Sequence, residues 1–158
     1  MPGARVWVRQ GLAALAVVAA DQMTKAIIET TTPQGGGSAV FWGLARITHV
    51  RNPGAAFGIF STATIPVVVS VFVVAWWVAA NATGMVHRYG RPFEAGSALV
   101  LGGAVGNLID RVRVGCVIDF IDFRFWPVFN LADVAITAGA FLVVYALVLG
   151  RTGGRSCE

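Results

Sequence analysis

Four long apolar stretches constrain this chain more than anything else in it: about 6–28, 59–80, 93–112 and 131–149. Each approaches the roughly 20 residues that a helix needs to cross ~30 Å of hydrocarbon. A chain of 158 residues cannot hide four such helices from water. Its composition agrees, with 56% hydrophobic and only 13% charged residues, where an ordinary soluble domain has about 25% charged. The predicted fold class is an all-α membrane protein of four transmembrane helices, forming a single integral domain over 1–158. The segment at about 29–58 forms a small extramembrane strand and loop subdomain. Its first residues are turn formers, and Ala39–Val50 has the character of short strands over the site, as a platform or lid.

The stretches are not equally clean. The third lacks charge only from Ala95 to Ile109, so a full crossing must carry Asn107, Asp110 and Arg111. The first has the clean run GLAALAVVAA and must extend through Asp21 and Lys25. Arg5 and Arg9 followed by LAALAVV and Val18-Ala19-Ala20 also have the look of a secretory signal peptide. Two features favour a helix that stays: apolar character resumes at 26–28, and Asp21 and Lys25 are spaced i,i+4 with the acid first, the favourable order for a pair. Pro66 lies about one turn into the second span, where proline is tolerated. Trp76 and Trp77 lie near its far end, as interfacial aromatics do. Gly102 and Gly106 form a GxxxG pair suited to close helix packing.

Charge does not settle the orientation. One side receives Arg5, Arg9, Arg88, Arg91, Arg151 and Arg155, taking 87–92 as a loop. The other receives Lys25, Arg46, Arg51, Arg111, Arg113 and Arg124. Two features lean toward an inside N-terminus: Arg5 and Arg9 flank the first span, and several of the opposite basic residues have acidic neighbours that could pair with them. The net charge of +4 is scattered beside apolar runs, which suits lipid headgroups and not nucleic acid. Cys116 and Cys157 fall on opposite sides, so no disulfide is expected. Neither they nor His49 and His87 have metal-ligand spacing, and no metal or cofactor is expected.

A stronger result is independent of orientation. Neighbouring spans alternate in direction, so the end of the first, the start of the second, the end of the third and the start of the fourth share one face. Those ends carry Asp21, Gln22, Thr24 and Lys25; Asn52; Asn107, Asp110 and Arg111; and Asn130 and Asp133. The opposite ends are expected to carry no such set. An ionisable residue within a span costs about 2.5–3.5 kcal/mol at the helix centre. One of these alone reads as a helix-locking pair. The whole set on one face reads as a functional site.

Residues 117–123, VIDFIDF, place two acids among β-branched and aromatic residues. Such a run favours a strand, in which side chains alternate faces. Asp119 and Asp122 then point apart and only one enters the polar set, with Asp133 as its partner. A helix would instead put both on one face. Two carboxylates meeting in a partly dry site split their titration, leaving one charged and one protonated. That is the requirement for aspartyl proteolysis, in which one activates water and the other polarises a peptide carbonyl. The chain has no GxSxG elbow and no evident Ser/His or Cys/His pairing. A small proton- or cation-coupled transporter is the rival reading. The polar residues gather at one interface, however, and no internal repeat is visible.

The stretches DQMTK (21–25), RNPGAAFG (51–58), GGAVGNLIDRV (102–112), VIDFIDF (117–123) and FNLADVAI (129–136) occur in an order that resembles the lipoprotein signal peptidase (signal peptidase II) family. The resemblance covers nearly the whole chain. It implies an aspartic endopeptidase with catalytic Asp119 and Asp133 and gives Asp122 no catalytic part. It marks Asp21, Lys25, Asn52, Asn107, Asp110, Arg111 and Asn130 as structural or substrate-orienting. It implies a bacterial inner-membrane enzyme with its active site at the outer face. Its substrates would be prolipoproteins cut ahead of a diacylglyceryl-modified cysteine, with membrane lipid as the other partner and a monomer expected. Phe57, Phe120 and Phe129 are candidates to pack on lipid or peptide. The connection from Asp119 to Asp133 is short relative to many members.

Overall fold

The computed structural model describes residues 4–53 and 64–152. Four helices carry most of it: α1 (Ala4–Thr31), α2 (Thr64–Ala82), α3 (Met85–Val114) and α4 (Leu131–Thr152). Three strands, β1 (Gly37–Val40), β2 (Ala45–Asn52) and β3 (Val117–Asp122), form an antiparallel sheet in the order β1-β2-β3. The expected strands near 39–50 are thus present, and VIDFID is a strand. The segment RNPGAAFG falls outside the described residues from Gly54 onward, as do the start of the expected second span and Phe57.

Local chemistry sets the boundaries. α1 stops at Thr31, just before Thr32-Pro33, because the residue ahead of a proline is steered out of helical geometry. α3 ends at Gly115, whose φ of 75° lets its N–H bond the Arg111 carbonyl, a left-handed cap that glycine adopts without strain. The stretch 87–92, expected as a loop, is instead a helical turn that joins α3 and breaks only at Gly90 (φ 71°, ψ −161°), two residues ahead of Pro92.

α3 is the central helix and packs on α1, α2 and α4. Small residues allow the close approach. A Cβ on Gly96 would lie 2.6 Å from the Gly139 carbonyl, and one on Gly139 would lie 2.6 Å from that of Gly96. Gly102 is pressed on Val17 and Ala14 of α1, and Gly106 on Asp21, so the GxxxG pair does serve helix packing. A buried cluster of Ala80, Val86, Phe93 and Ala146 joins α2, α3 and α4.

The solvent logic of the bundle is inverted. Leu12, Leu15, Ile27, Val71, Phe72, Phe141, Val144 and Val148 face outward, while Asp21, Lys25, Asp110 and Asn130 are wholly buried. Apolar outside and polar inside is the arrangement that lipid as outer solvent favours. α1 and residues Leu131–Gly150 of α4 are long and apolar enough to cross a membrane, and α2 has a shorter apolar part, Val68–Ala82.

One expectation fails. The ends opposite the predicted site do carry a polar set. Arg9 Nε and Nη2 donate to Glu94 Oε1 and Oε2 at 2.9 and 2.8 Å, and buried Gln10 donates to buried Ser97 Oγ at 2.8 Å. Arg9 and Gln10 are neighbours on α1 and Glu94 and Ser97 lie one turn apart on α3, and only the α1–α3 packing brings the two pairs together.

Candidate active site

Lys25 is the hub. It is fully buried, and its ammonium reaches Asp21 Oδ2 at 2.8 Å, Asp110 Oδ2 at 2.7 Å and Asn107 Oδ1 at 3.1 Å. That uses all three of its donors. The acids carry the connection outward. Asp21 Oδ1 accepts from the backbone N–H of Ala132 at 3.0 Å, in the first turn of α4, where the helix dipole favours an anion. Asp110 Oδ2 accepts from the N–H of Ile118 at 3.1 Å, one residue before Asp119. One ammonium therefore ties α1, α3, β3 and α4 together.

Asp119 lies on β3, 2% exposed. Its neighbour strand supplies one ligand: Val50 pairs with Asp119 and Asn52 with Val117, so Asn52 is the diagonal same-face neighbour. Asn52 Nδ2 donates to Asp119 Oδ2 at 2.9 Å. Asn130 Nδ2 donates to the other oxygen at 2.7 Å. Burial pushes the Asp119 carboxyl up to about 6; the Asn52 bond opposes this, the nearby Asp133 charge adds to it, and Asn130 and Lys25 oppose it.

Asp133 is positioned by the start of α4. Asn130 precedes the helix, its Oδ1 accepts from the Asp133 N–H at 2.9 Å, and Asp133 Oδ2 accepts from the Asn130 N–H at 3.2 Å. This is a reciprocal capping box with Asp at its third position. Asn107 Nδ2 donates to Asp133 Oδ1 at 2.8 Å, and Asn130 Nδ2 also reaches Asn107 Oδ1 at 3.1 Å. Asn130 thus holds both candidate aspartates and the cap with one amide.

All nine residues singled out in the sequence meet in this network. Arg111 joins it through Nη1, which donates to the Asn107 carbonyl at 3.0 Å. Asp122 does not join. It lies half-buried and accepts from the Arg124 N–H at 2.7 Å, on the opposite face from Asp119 as period-two geometry requires. Thr24 turns back onto the α1 carbonyls of Ala20 and Asp21. Gln22 has a larger part than its position suggested, donating to Asp110 Oδ1 at 2.9 Å and to the Gly106 carbonyl at 3.1 Å.

A groove of about 690 Å³ opens beside Asp133, lined by Trp126, Phe129, Asp133, Val134, Thr137, Ala138, Phe141 and Leu142. Among the described residues that line it, Asp133 is the one ionisable wall. The groove suits an apolar ligand that brings a polar group up to that carboxylate. Trp126 was not anticipated. Its signal was an aromatic within the short connection between the two aspartates. Among the described residues no group of three His, Cys, Asp or Glu is arranged to hold a metal ion.

The family model described as signal peptidase (SPase) II matches residues 13–149. A lipoprotein signal peptidase from Moorella thermoacetica is 43% identical over 147 residues, covering 87% of this chain and 91% of that protein. One from Pelotomaculum thermopropionicum is 42% identical over 140 residues, covering 84% and 86%. A solved bacterial membrane enzyme superposes with a TM-score of 0.83 at 34% identity, covering 95% of this chain and 93% of that one.

Proposed function

The chain belongs to the signal peptidase II family, and on that premise we propose that it is an aspartic endopeptidase removing signal peptides from prolipoproteins ahead of a diacylglyceryl-modified cysteine. It is an integral membrane protein. Our reading gives it one domain, four crossings by α1 to α4, a bacterial inner-membrane location, the dyad at the outer face and a monomeric working form. The transporter reading finds no support. The relatives are named as peptidases, and between Gln10 and Asp21 helix α1 carries only GLAALAVVAA, with no polar step across the middle.

The observation that carries the proposal is Asn130 bonded at once to Asp119 and to Asp133. It ties the buried Asp119 to Asp133, which lines an apolar groove. Asp119, the more buried, holds the proton. Asp133, in the first turn of α4, is the general base. A water held by Asp133 gives it a proton and attacks the scissile carbonyl carbon. Asp119 gives its proton to the carbonyl oxygen, which leaves a diol. On collapse the C–N bond breaks, Asp133 protonates the departing amine of the modified cysteine, and Asp119 recovers a proton from a diol hydroxyl. Both aspartates end as they began. The acyl chains lie along Val134, Ala138 and Phe141 in the groove.

Purified protein incubated with a diacylglyceryl-modified prolipoprotein tests this by the size shift of the product. Asp119→Asn and Asp133→Asn should each lose about 10²–10⁴-fold, as removal of an acid–base group does. Asp122→Asn should stay within a few-fold of the parent. An active Asp119→Asn variant would assign the chemistry elsewhere.

A further inference from the structure

The sheet ends in a cluster of exposed apolar side chains. Trp42 is 98% exposed, Phe125 84%, Leu44 73%, Phe41 71% and Trp126 64%. They come from two loops, 41–44 and 123–126. Strand register puts both loops at the same end of the sheet, because Val40 pairs with Ala45 and Arg46 pairs with Asp122. The cluster is also continuous with the groove. Phe125 stacks on Phe123 at 6.0 Å, Phe123 packs on Phe129 at 5.8 Å, and Phe129 and Trp126 line the groove with Phe141 of α4.

The backbone of these loops is unusual in the same places. Phe41, Trp42 and Arg124 have φ of 50°, 55° and 66°, a left-handed geometry that glycine or asparagine adopts far more easily. Large side chains held there, with their rings turned outward, are not explained by packing inside the protein. A contiguous apolar patch of this kind is a liability in water and marks an interaction surface.

We propose that this end of the sheet is a lipid anchor, which inserts Phe41, Trp42, Leu44, Phe125 and Trp126 into the headgroup and upper acyl region of the leaflet nearest the dyad. Three observations favour lipid over a protein partner. The patch runs without a break, through Trp126 and Phe129, onto the outward apolar face of α4, where Val134, Phe141 and Val144 are exposed. Exposed Arg124 and half-buried Arg46 border it, placed for lipid phosphates. Tryptophan beside arginine is the composition of a membrane interface. The anchor fixes the height of β3, and so of Asp119, against the lipid surface. It rests on the chain being an integral membrane protein and not on its peptidase activity.

Trp42 fluorescence tests the anchor without any assay of cleavage. Full-length protein is placed in nanodiscs of phosphatidylethanolamine and phosphatidylglycerol, with acyl chains either plain or brominated close to the ester groups. Subtracting the emission of the Trp42→Phe variant isolates Trp42. The anchor predicts a blue-shifted signal that loses intensity in brominated lipid, as for a ring at headgroup level, and little to aqueous iodide. Quenching by iodide and not by bromine would place the patch in water and overturn the proposal. Protection from both would mean a protein partner or a second copy covers it, and would overturn it equally. Should Trp42→Phe fail to fold, Leu44→Cys carrying a polarity-sensitive dye, with Cys116 and Cys157 replaced by Ala, gives the same reading.

Discussion

Two buried side chains decide most at the scale of the residue. Lys25 neutralises two acids that would otherwise lie unpaired in the bundle. Lys25→Met should therefore lower stability by about 3–5 kcal/mol, as when one partner of a buried ion pair is removed. Arg113→Ala removes only the half-exposed pair with Glu29 and should change stability by about 0–1 kcal/mol. Thermal unfolding in detergent compares the two. On the proposed mechanism Asp119 governs pH dependence. Its carboxyl is raised to about 6, from roughly 3.9 for a free aspartate, so the free enzyme loses the singly protonated dyad as pH climbs through about 6. The value of kcat/KM should fall across that pH, while kcat falls at higher pH because bound substrate dries the site further. Asn52→Ala removes a hydrogen bond that favours the ionised form, so it should move the limb upward. A downward move would show that Asn52 does not act on Asp119 in this way.

At the scale of the element, the start of α4 does two jobs with one residue. Asn130 caps the helix and holds both aspartates, and these roles separate by substitution. Asn130→Ala should lose about 1 kcal/mol as a missing cap and most of the cleavage activity. Asn130→Ser restores a capping oxygen but not the amide donor to Asp119, so it should recover the stability and not the activity. Equal recovery of both would make Asn130 a cap and nothing more. The neighbouring glycine tests the same geometry from α3. A Cβ at Gly103 would press on the Ala132 carbonyl and Ile136. Gly103→Ala should cost about 1–3 kcal/mol as an overpacked contact and reduce kcat by displacing Asp133.

For the whole molecule, the two polar sets lie at opposite ends of α1, with Arg9 and Gln10 some 18 Å from Asp21 along the axis at 1.5 Å per residue. That distance is shorter than the ~30 Å hydrocarbon core, so the two sets occupy opposite halves of the span, each toward its own face. In a background without Cys116 and Cys157, Asp122→Cys should react with an impermeant thiol reagent applied outside spheroplasts, and Arg88→Cys only after permeabilisation. The reverse labelling would invert the proposed orientation.

Much of the site was legible because its signals are local. Asp119 and Asp122 separate by the alternation of a strand, and Asp21 and Lys25 pair by the turn of a helix. Alternating spans then gather the ends that carry Asn107, Asn130 and Asp133. Those are matters of chain periodicity, which a sequence displays directly. The second polar set was not legible, because Arg9–Gln10 and Glu94–Ser97 lie in separate stretches, Gln10 and Ser97 87 positions apart, and only helix contact pairs them. The aromatic end of the sheet was hidden for the same reason, since strand register alone unites residues 41–44 with 123–126. The sequence by itself determined the apolar helices, the shared polar face and that only one of the two acids in VIDFIDF could join it; the choice of Asp119 came from the family resemblance. Only the tertiary structure decided that Lys25 binds four elements into one site and that burial lifts Asp119. Both depend on distances between segments, and those are set by packing.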